Sequence, residues 1–409
     1  MNDFTAFGLQ PVIMQALTKI EFTTPTPIQA EAIPVALLGK DILGTAGTGT
    51  GKTGAFGIPA ISHLINNPHD SVLIMTPTRE LAVQVMDMLR KLLGNETSIK
   101  TALLIGGQDI KRQLTQLKAR PRLIVGTPGR INDHIQRRKI DMVSVRYVVL
   151  DETDRMLDMG FGIQIDKILA KMPKKRQTLL FSATLPDNIL KLTSKYLIDP
   201  VRITVGSVSE PTENVKQETI HLAEAERYSE LVNQLEKRDG SVIVFVKTKM
   251  DADKISKRLR DHSHKSAAIH GDLKHSQRSK VILGFRNREN RVLVATDIAA
   301  RGLDIPHIEH VINYDLPHCP EDYIHRIGRT GRAGAEGEAV NLVTPQDRRR
   351  WRAICNLINP EEAAKMGSDR KDSRKDSRRP KPKFRVRKPI SGDATPTRKP
   401  KRKPFKHAA

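Results

Sequence analysis

The sequence predicts two tandem α/β domains, each built on a doubly wound parallel sheet, followed by a basic C-terminal segment. Three observations carry this. Short runs rich in Val, Ile and Leu alternate with amphipathic helical segments along most of the chain, the alternation breaks once near residue 206, and beyond about residue 361 apolar periodicity disappears.

In the first half, the apolar runs at 41–44, 72–75, 102–105, 123–125, 147–150 and 178–181 read as buried parallel strands. Amphipathic segments at 79–93 and 162–171 lie between them, which makes the repeating unit strand, helix, strand. A polar stretch containing Gly206, Ser207, Ser209 and Pro211 then marks an interdomain linker, placed at 206–213. The alternation resumes with strands expected at 241–246, 266–269, 292–295, 310–313 and 339–343. The expected division is therefore a first domain over 1–205, a second over 214–360 and a disordered tail over 361–409. The tail's Lys, Arg, Ser, Asp and Pro cannot bury enough apolar surface to offset ordering.

At 409 residues the chain exceeds one ordinary core. Hydrophobic residues make up 38% and charged residues 28%, a balance typical of globular proteins, and no apolar run approaches the roughly 20 residues of a membrane span. The N-terminus lacks the cationic start and long apolar stretch of a secretory signal. Cys319 and Cys355 match no zinc spacing and fit a reducing compartment, so a cytoplasmic location is expected. Net charge is +23, and from Lys365 onward 18 Lys and Arg face 4 Asp, which puts +14 in the last 45 residues. Such a surplus suits a polyanion, nucleic acid above all, because neutralised phosphates release counterions. A solubilising tail or membrane-surface affinity would account for the same surplus.

After the first apolar run comes Ala46-Gly47-Thr48-Gly49-Thr50-Gly51-Lys52-Thr53, the spacing of a phosphate-binding loop with Ala46 where the general pattern has Gly. Glycines let backbone amides face phosphates, Lys52 suits the β and γ oxygens, and Thr53 offers a hydroxyl to Mg²⁺. An ATP site of this kind needs a carboxylate at a nearby strand end, since Mg²⁺ prefers oxygen ligands. Asp151 and Glu152 close the run 147–150, and adjacent acids there are costly unless a cation or a reaction uses them. Asp151 is expected to hold the metal and Glu152 to orient or deprotonate the attacking water.

With these motifs in place the sequence resembles the DEAD-box ATP-dependent RNA helicase family over about 4–343. Phe22-Thr23-Thr24-Pro25-Thr26-Pro27-Ile28-Gln29, with Phe4 upstream, resembles that family's adenine-reading Q motif. The resemblance implies that Phe22 packs on the base and that Gln29 pairs with adenine, as a side-chain amide can. It also implies RecA-like domains. Pro77-Thr78-Arg79-Glu80-Leu81-Ala82, Gly106-Gly107 and Thr127-Pro128-Gly129-Arg130 match the family's RNA-contacting motifs. In the second domain Ala295-Thr296-Asp297 and Ala300-Arg301-Gly302-Leu303-Asp304 do likewise, which implies RNA contact at Thr296 and nucleotide contact at Asp304. Ser182-Ala183-Thr184 resembles the motif that couples hydrolysis to unwinding, its hydroxyls within reach of Asp154.

The second domain has no Gly-Lys-Thr loop of its own but contains His325-Arg326-Ile327-Gly328-Arg329-Thr330-Gly331-Arg332. Arg329 and Arg332 are therefore expected to reach the γ-phosphate held by the first domain, as an arginine finger does. Two positions depart from the family pattern. Thr153 replaces Ala in the Asp-Glu-Ala-Asp signature and is expected to compete for hydrogen bonds with Ser182 or Thr184, while His275 stands in place of Gln three residues before Arg278.

The resemblance implies a monomeric RNA-stimulated ATPase that performs local, non-processive unwinding with little sequence specificity, because backbone contacts position without reading bases. It leaves room for ribonucleoprotein or ribosome-assembly partners. A non-catalytic ATP-dependent RNA clamp and a DNA-directed motor are the competing readings.

Overall fold

The computed structural model describes residues 3–358 apart from 48, 95, 97, 186, 206–213, 301–307 and 332–334; the side chains of Asp187, Asn188, His275 and Ile298 also fall outside the description. The expected linker and tail thus lie outside the described residues, as do Thr48, Asp304 and Arg332.

Two parallel sheets organise the chain. The first contains β1 (Ile42–Ala46), β2 (Ser71–Met75), β3 (Thr101–Leu104), β4 (Leu123–Gly126), β5 (Val145–Leu150), β6 (Gln177–Ser182) and β7 (Val201–Val205). The second contains β8 (Val215–His221), β9 (Val242–Phe245), β10 (Ser266–Ile269), β11 (Val292–Ala295), β12 (His310–Asn313) and β13 (Gly337–Val343). Strand order in the first sheet is β3-β4-β2-β5-β6-β1-β7, and in the second β10-β11-β9-β12-β13-β8. Matching β8 to β1, β9 to β2 and so on in sequence makes the two orders identical, apart from the extra edge strand β7. The second lobe is an architectural repeat of the first.

Both faces of each sheet are covered, which is why the central strands read as continuous apolar runs. In the first lobe Ile42, Val72, Ile74, Val149 and Phe181 pack into one core, while Leu43, Leu73, Val148 and Leu180 pack into another on the opposite face. The second lobe divides in the same way, with Ile243, Phe245 and Leu293 on one side and Val242, Val244 and Val294 on the other. The covering helices follow their sequence signals. Over Arg79–Leu93 the buried residues Ala82, Val85, Met86, Leu89, Leu92 and Leu93 keep helical spacing, and Thr78 caps the start by accepting a hydrogen bond from Leu81 N at 3.2 Å.

Two strands escaped the sequence reading. β7 and β8 are edge strands with mostly exposed or half-buried residues, so they carry no apolar run to signal them. Among the described residues no helix is long and apolar enough to cross a membrane.

Candidate active site and nucleic-acid cleft

The phosphate-binding loop follows β1 and ends at Gly51, the N-cap of the Lys52–Asn66 helix. Gly51 has φ of +96°, a region open to glycine, and an added Cβ would lie 2.6 Å from Thr26 Oγ1 and 2.8 Å from Gln29 Nε2. Lys52 is buried and its ammonium donates to Ala46 O at 3.0 Å, across the mouth of the loop. Thr50 Oγ1 donates to Gly47 O at 2.9 Å, which closes the turn around Gly49. Thr53 is half-buried in the first helical turn.

Gln29 is only 2% exposed and both its amide groups are engaged: Oε1 accepts from Thr26 N at 3.0 Å and Nε2 donates to Gly51 O at 3.0 Å. It thus braces the helix start at Pro27 against the phosphate-binding loop, a role the sequence did not announce. Its amide retains one further proton and one further lone pair for a base. Phe22 is half-buried and stacks on buried Phe4, ring centroids 6.5 Å apart at 22°. Gly54 permits this packing, since a Cβ there would meet Gln29 Nε2 at 2.5 Å and Phe22 Cε2 at 3.6 Å. Sequence reasoning overlooked Gly54, although a glycine three residues into a helix is itself a sign of close approach.

Asp151 and Glu152 stand at the carboxyl end of β5, beside the loop. Asp151 is 3% exposed, and burial pushes its carboxyl up to about 7 against the pull of Lys52. Its Oδ1 accepts from Glu152 N at 3.0 Å. Glu152 adopts a left-handed conformation, φ 49° and ψ 52°, at the N-cap of the Thr153–Asp158 helix, an uncommon geometry for a non-glycine residue and one that clusters at functional sites. Arg155 Nη1 lies 3.3 Å from Glu152 Oε2.

Asp154 ties this strand end to the next. Its Oδ2 accepts from Ala183 N and Thr184 N, both at 3.0 Å, and from Thr184 Oγ1 at 3.2 Å, while Ser182 Oγ accepts from Asp154 N at 3.3 Å. Thr153 takes no part. Its hydroxyl is fully buried and donates to Leu150 O at 3.1 Å, one turn back, so the expected competition with Ser182 and Thr184 does not occur.

A Mg²⁺ ion fits these residues. Asp151 is a buried carboxylate that a cation would keep ionised, and Thr53 supplies a hydroxyl at the start of the helix. Among the described residues no group of three or more His, Cys, Asp and Glu is placed to hold an ion by protein ligands alone. A site of one carboxylate and one hydroxyl suits Mg²⁺, which fills its remaining positions with water and phosphate oxygens.

Past the carboxyl ends of β2, β3 and β4 runs a cavity of 470 Å³ whose walls come from both lobes. Pro77, Thr78, Arg79, Thr127 and Arg130 line the first-lobe side, while Gly271, Leu273 and Arg278 line the second-lobe side. Arg79 lies against Gly106, and Arg130 Nη1 is buried with no hydrogen-bond partner in the protein, as suits a cation awaiting a phosphate. Gly107 and Thr296 do not reach this wall; Gly106 takes the place expected of Gly107, and Thr296 sits half-buried at the end of β11. Met159 and Phe161 add an apolar side that the sequence reading missed. Glu80 and Arg278 join the lobes across the cavity at 2.6 Å.

At the other junction, buried Arg326 forks onto Asp297 at 2.6 and 2.7 Å and donates to Asn313 Oδ1 at 2.9 Å. Arg329 is 4% exposed, its Nε donates to His325 O at 3.1 Å, and it shares a narrow crevice with Arg155 of the first lobe. Of the two expected cross-cleft arginines, Arg329 is therefore at the lobe junction. The chemistry-bearing residues of both sheets collect at strand carboxyl ends, where open α/β sheets bind ligands.

Known proteins match this chain along most of its length. Residues 26–192 match the DEAD/DEAH box helicase family and residues 225–334 the helicase conserved C-terminal domain. The DEAD-box ATP-dependent RNA helicase CshA of Bacillus cereus (strain ATCC 10987 / NRS 248) is 43% identical over 376 residues, 91% of this chain and 70% of that protein. The structure of S. cerevisiae Dbp5 bound to RNA and ADP BeF3 superposes with a TM-score of 0.80 at 29% identity, covering 92% of this chain and 99% of that one. A DEAD box protein from Methanococcus jannaschii reaches only 0.52 at 41% identity, covering 88% and 97%. The more similar sequence superposes worse over comparable coverage. With matching family domains in order, and a relative at 43% identity over nine-tenths of this chain, the chain belongs to the DEAD-box helicase family.

Proposed function

We infer that this protein is an ATP-dependent RNA helicase whose RNA-stimulated ATP hydrolysis drives local, non-processive unwinding of RNA duplexes or remodelling of RNA–protein complexes. The observation that carries this reading is the shared construction of the cleft: Arg79 and Arg130 on one lobe face Gly271 and Arg278 on the other, while the same first lobe carries the nucleotide loop. Lobes over 1–205 and 214–360, linked by 206–213, fit that plan.

ATP enters with its base against Phe22 and Gln29 and its phosphates on the amides of 47–53 and the Lys52 ammonium. Thr53 and Asp151 would hold Mg²⁺, which would neutralise phosphate charge there. Glu152 orients a water for in-line attack and takes its proton as the water oxygen bonds to the γ-phosphorus and the bond to the β-phosphate oxygen breaks, releasing ADP and phosphate. Arg329, with Arg332 and Asp304 from the same lobe, completes the site only when the lobes meet. Asp154, Ser182 and Thr184 pass the state of the acidic strand end to the RNA side.

RNA is gripped by its backbone at Pro77, Thr78, Arg79, Gly106, Thr127 and Arg130, so sequence specificity is low. Because ATP and RNA each favour closure, each strengthens the binding of the other. A strand bent by closure cannot remain in a regular A-form duplex and sheds its partner, and hydrolysis reopens the clamp. Glu152 and Arg329 in place favour this over a non-catalytic clamp, which needs neither. The protein acts as a cytoplasmic monomer, its basic tail tethering RNA or ribonucleoprotein substrates. The test is ATP turnover with and without RNA and with DNA of the same sequence. Stimulation by RNA and its loss in Glu152→Gln support the reading, whereas turnover indifferent to RNA refutes it.

A further inference from the structure

Arg155 has no part in the mechanism above, yet it is among the largest side chains removed from solvent, 1% exposed. A buried guanidinium is costly to desolvate unless partners offset the cost. Its Nη1 has Glu152 Oε2 at 3.3 Å, and its Nε has no hydrogen-bond partner. The second lobe forms the other wall of the crevice around it, through Phe245, Asp297, Asp322, His325, Arg326 and Arg329. That wall is firm: Arg326 is locked by its fork onto Asp297 and its bond to Asn313, and its guanidinium lies 4.8 Å from the Phe245 ring centre.

We propose that Arg155 is a positioning residue that sets the Glu152 carboxylate for hydrolysis only when the lobes close. The pairing is geometrically direct. Glu152 is the N-cap, Arg155 is three residues on, and residues so spaced share one face of a helix. In the closed arrangement the second lobe excludes water from the crevice and leaves the guanidinium no room to leave Glu152. Once the lobes part, the same guanidinium is hydrated and its hold on the carboxylate weakens. Closure thus prepares the general base as well as delivering Arg329. This rests on the reading of Glu152 as the residue that orients the attacking water.

The test uses the intact chain. Arg155→Met is expected to lower RNA-stimulated kcat at least roughly tenfold, because a misplaced catalytic group costs rate rather than binding. KM for ATP and RNA affinity in the presence of AMP-PNP should stay near wild type, and Arg155→Lys, which keeps the cation, should recover part of the loss. Unchanged kcat in Arg155→Met overturns the proposal, as does a parallel loss of ATP and RNA binding, which would mark a merely structural residue. If the Met variant does not fold, Arg155→Lys decides alone: reduced kcat at wild-type KM supports the proposal, and wild-type kcat or a raised KM refutes it. A wild-type chain without RNA-stimulated turnover would instead remove the functional reading itself, and this proposal with it.

Discussion

Glu80 and Arg278 meet across the lobe junction at 2.6 Å, each side chain 12% exposed, although they belong to different lobes. Arg278 also donates to Ala299 O at 2.7 Å, and burial pulls its guanidinium below its ordinary value. The two residues come from different lobes, so the pair exists only while the lobes are together. Glu80→Ala and Arg278→Ala should each weaken RNA binding measured with AMP-PNP by about 5- to 150-fold, the range of a typical coupling energy. The double variant should be little worse than either alone, because each substitution already removes the same ion pair. Strictly additive losses would show that the two residues act separately.

Asp151 gives a pH signature. Its carboxyl in the metal-free protein is raised from 3.8 to about 7, so between those values the folded chain holds a proton that the unfolded chain has lost. Its contribution to stability is therefore fully present below the lower value and is lost as pH rises through the upper one. In thermal unfolding from pH 4 to 8 without Mg²⁺, Asp151→Asn should remove part of the decline seen in the wild type over this window. Superimposable profiles would contradict the assigned burial cost.

Thr153 should matter to stability and hardly at all to turnover. Thr153→Ala removes a buried hydrogen bond to Leu150 O and is expected to cost about 1 kcal/mol in unfolding free energy. RNA-stimulated ATPase should stay within a factor of two. A large change in the ratio of unwinding to ATP hydrolysed would restore the coupling role that its sequence position suggests.

Residues 365–409, with 18 Lys and Arg, should act through counterion release. Their deletion should weaken RNA binding and flatten the dependence of log affinity on log salt, by roughly 0.7 for each single-strand phosphate that the tail no longer neutralises, while ATP binding is preserved. An unchanged slope would make the segment a solvated extension.

Much of this was legible in the sequence, and the exceptions share causes. Strands buried on both faces, such as Ser71–Met75, announce themselves as apolar runs, and the phosphate loop and acidic strand end carry fixed spacings. β7 and β8 stayed hidden because an edge strand needs no apolar run. The Thr153 hydroxyl was misread because the turn from β5 into the Thr153–Asp158 helix brings the Leu150 carbonyl within its reach, which residue type alone does not reveal. Gln29's brace to Gly51 and Arg155's burial between lobes depend on proximity in space that no local pattern encodes.

The central claim is that the second lobe completes the nucleotide site of the first. It is tested most directly by the RNA-stimulated ATP turnover of Arg329→Ala, with ATP binding measured in parallel. The account predicts a fall of roughly 10³ in kcat with ATP still bound, the scale of an arginine finger. Wild-type turnover in that variant would contradict it.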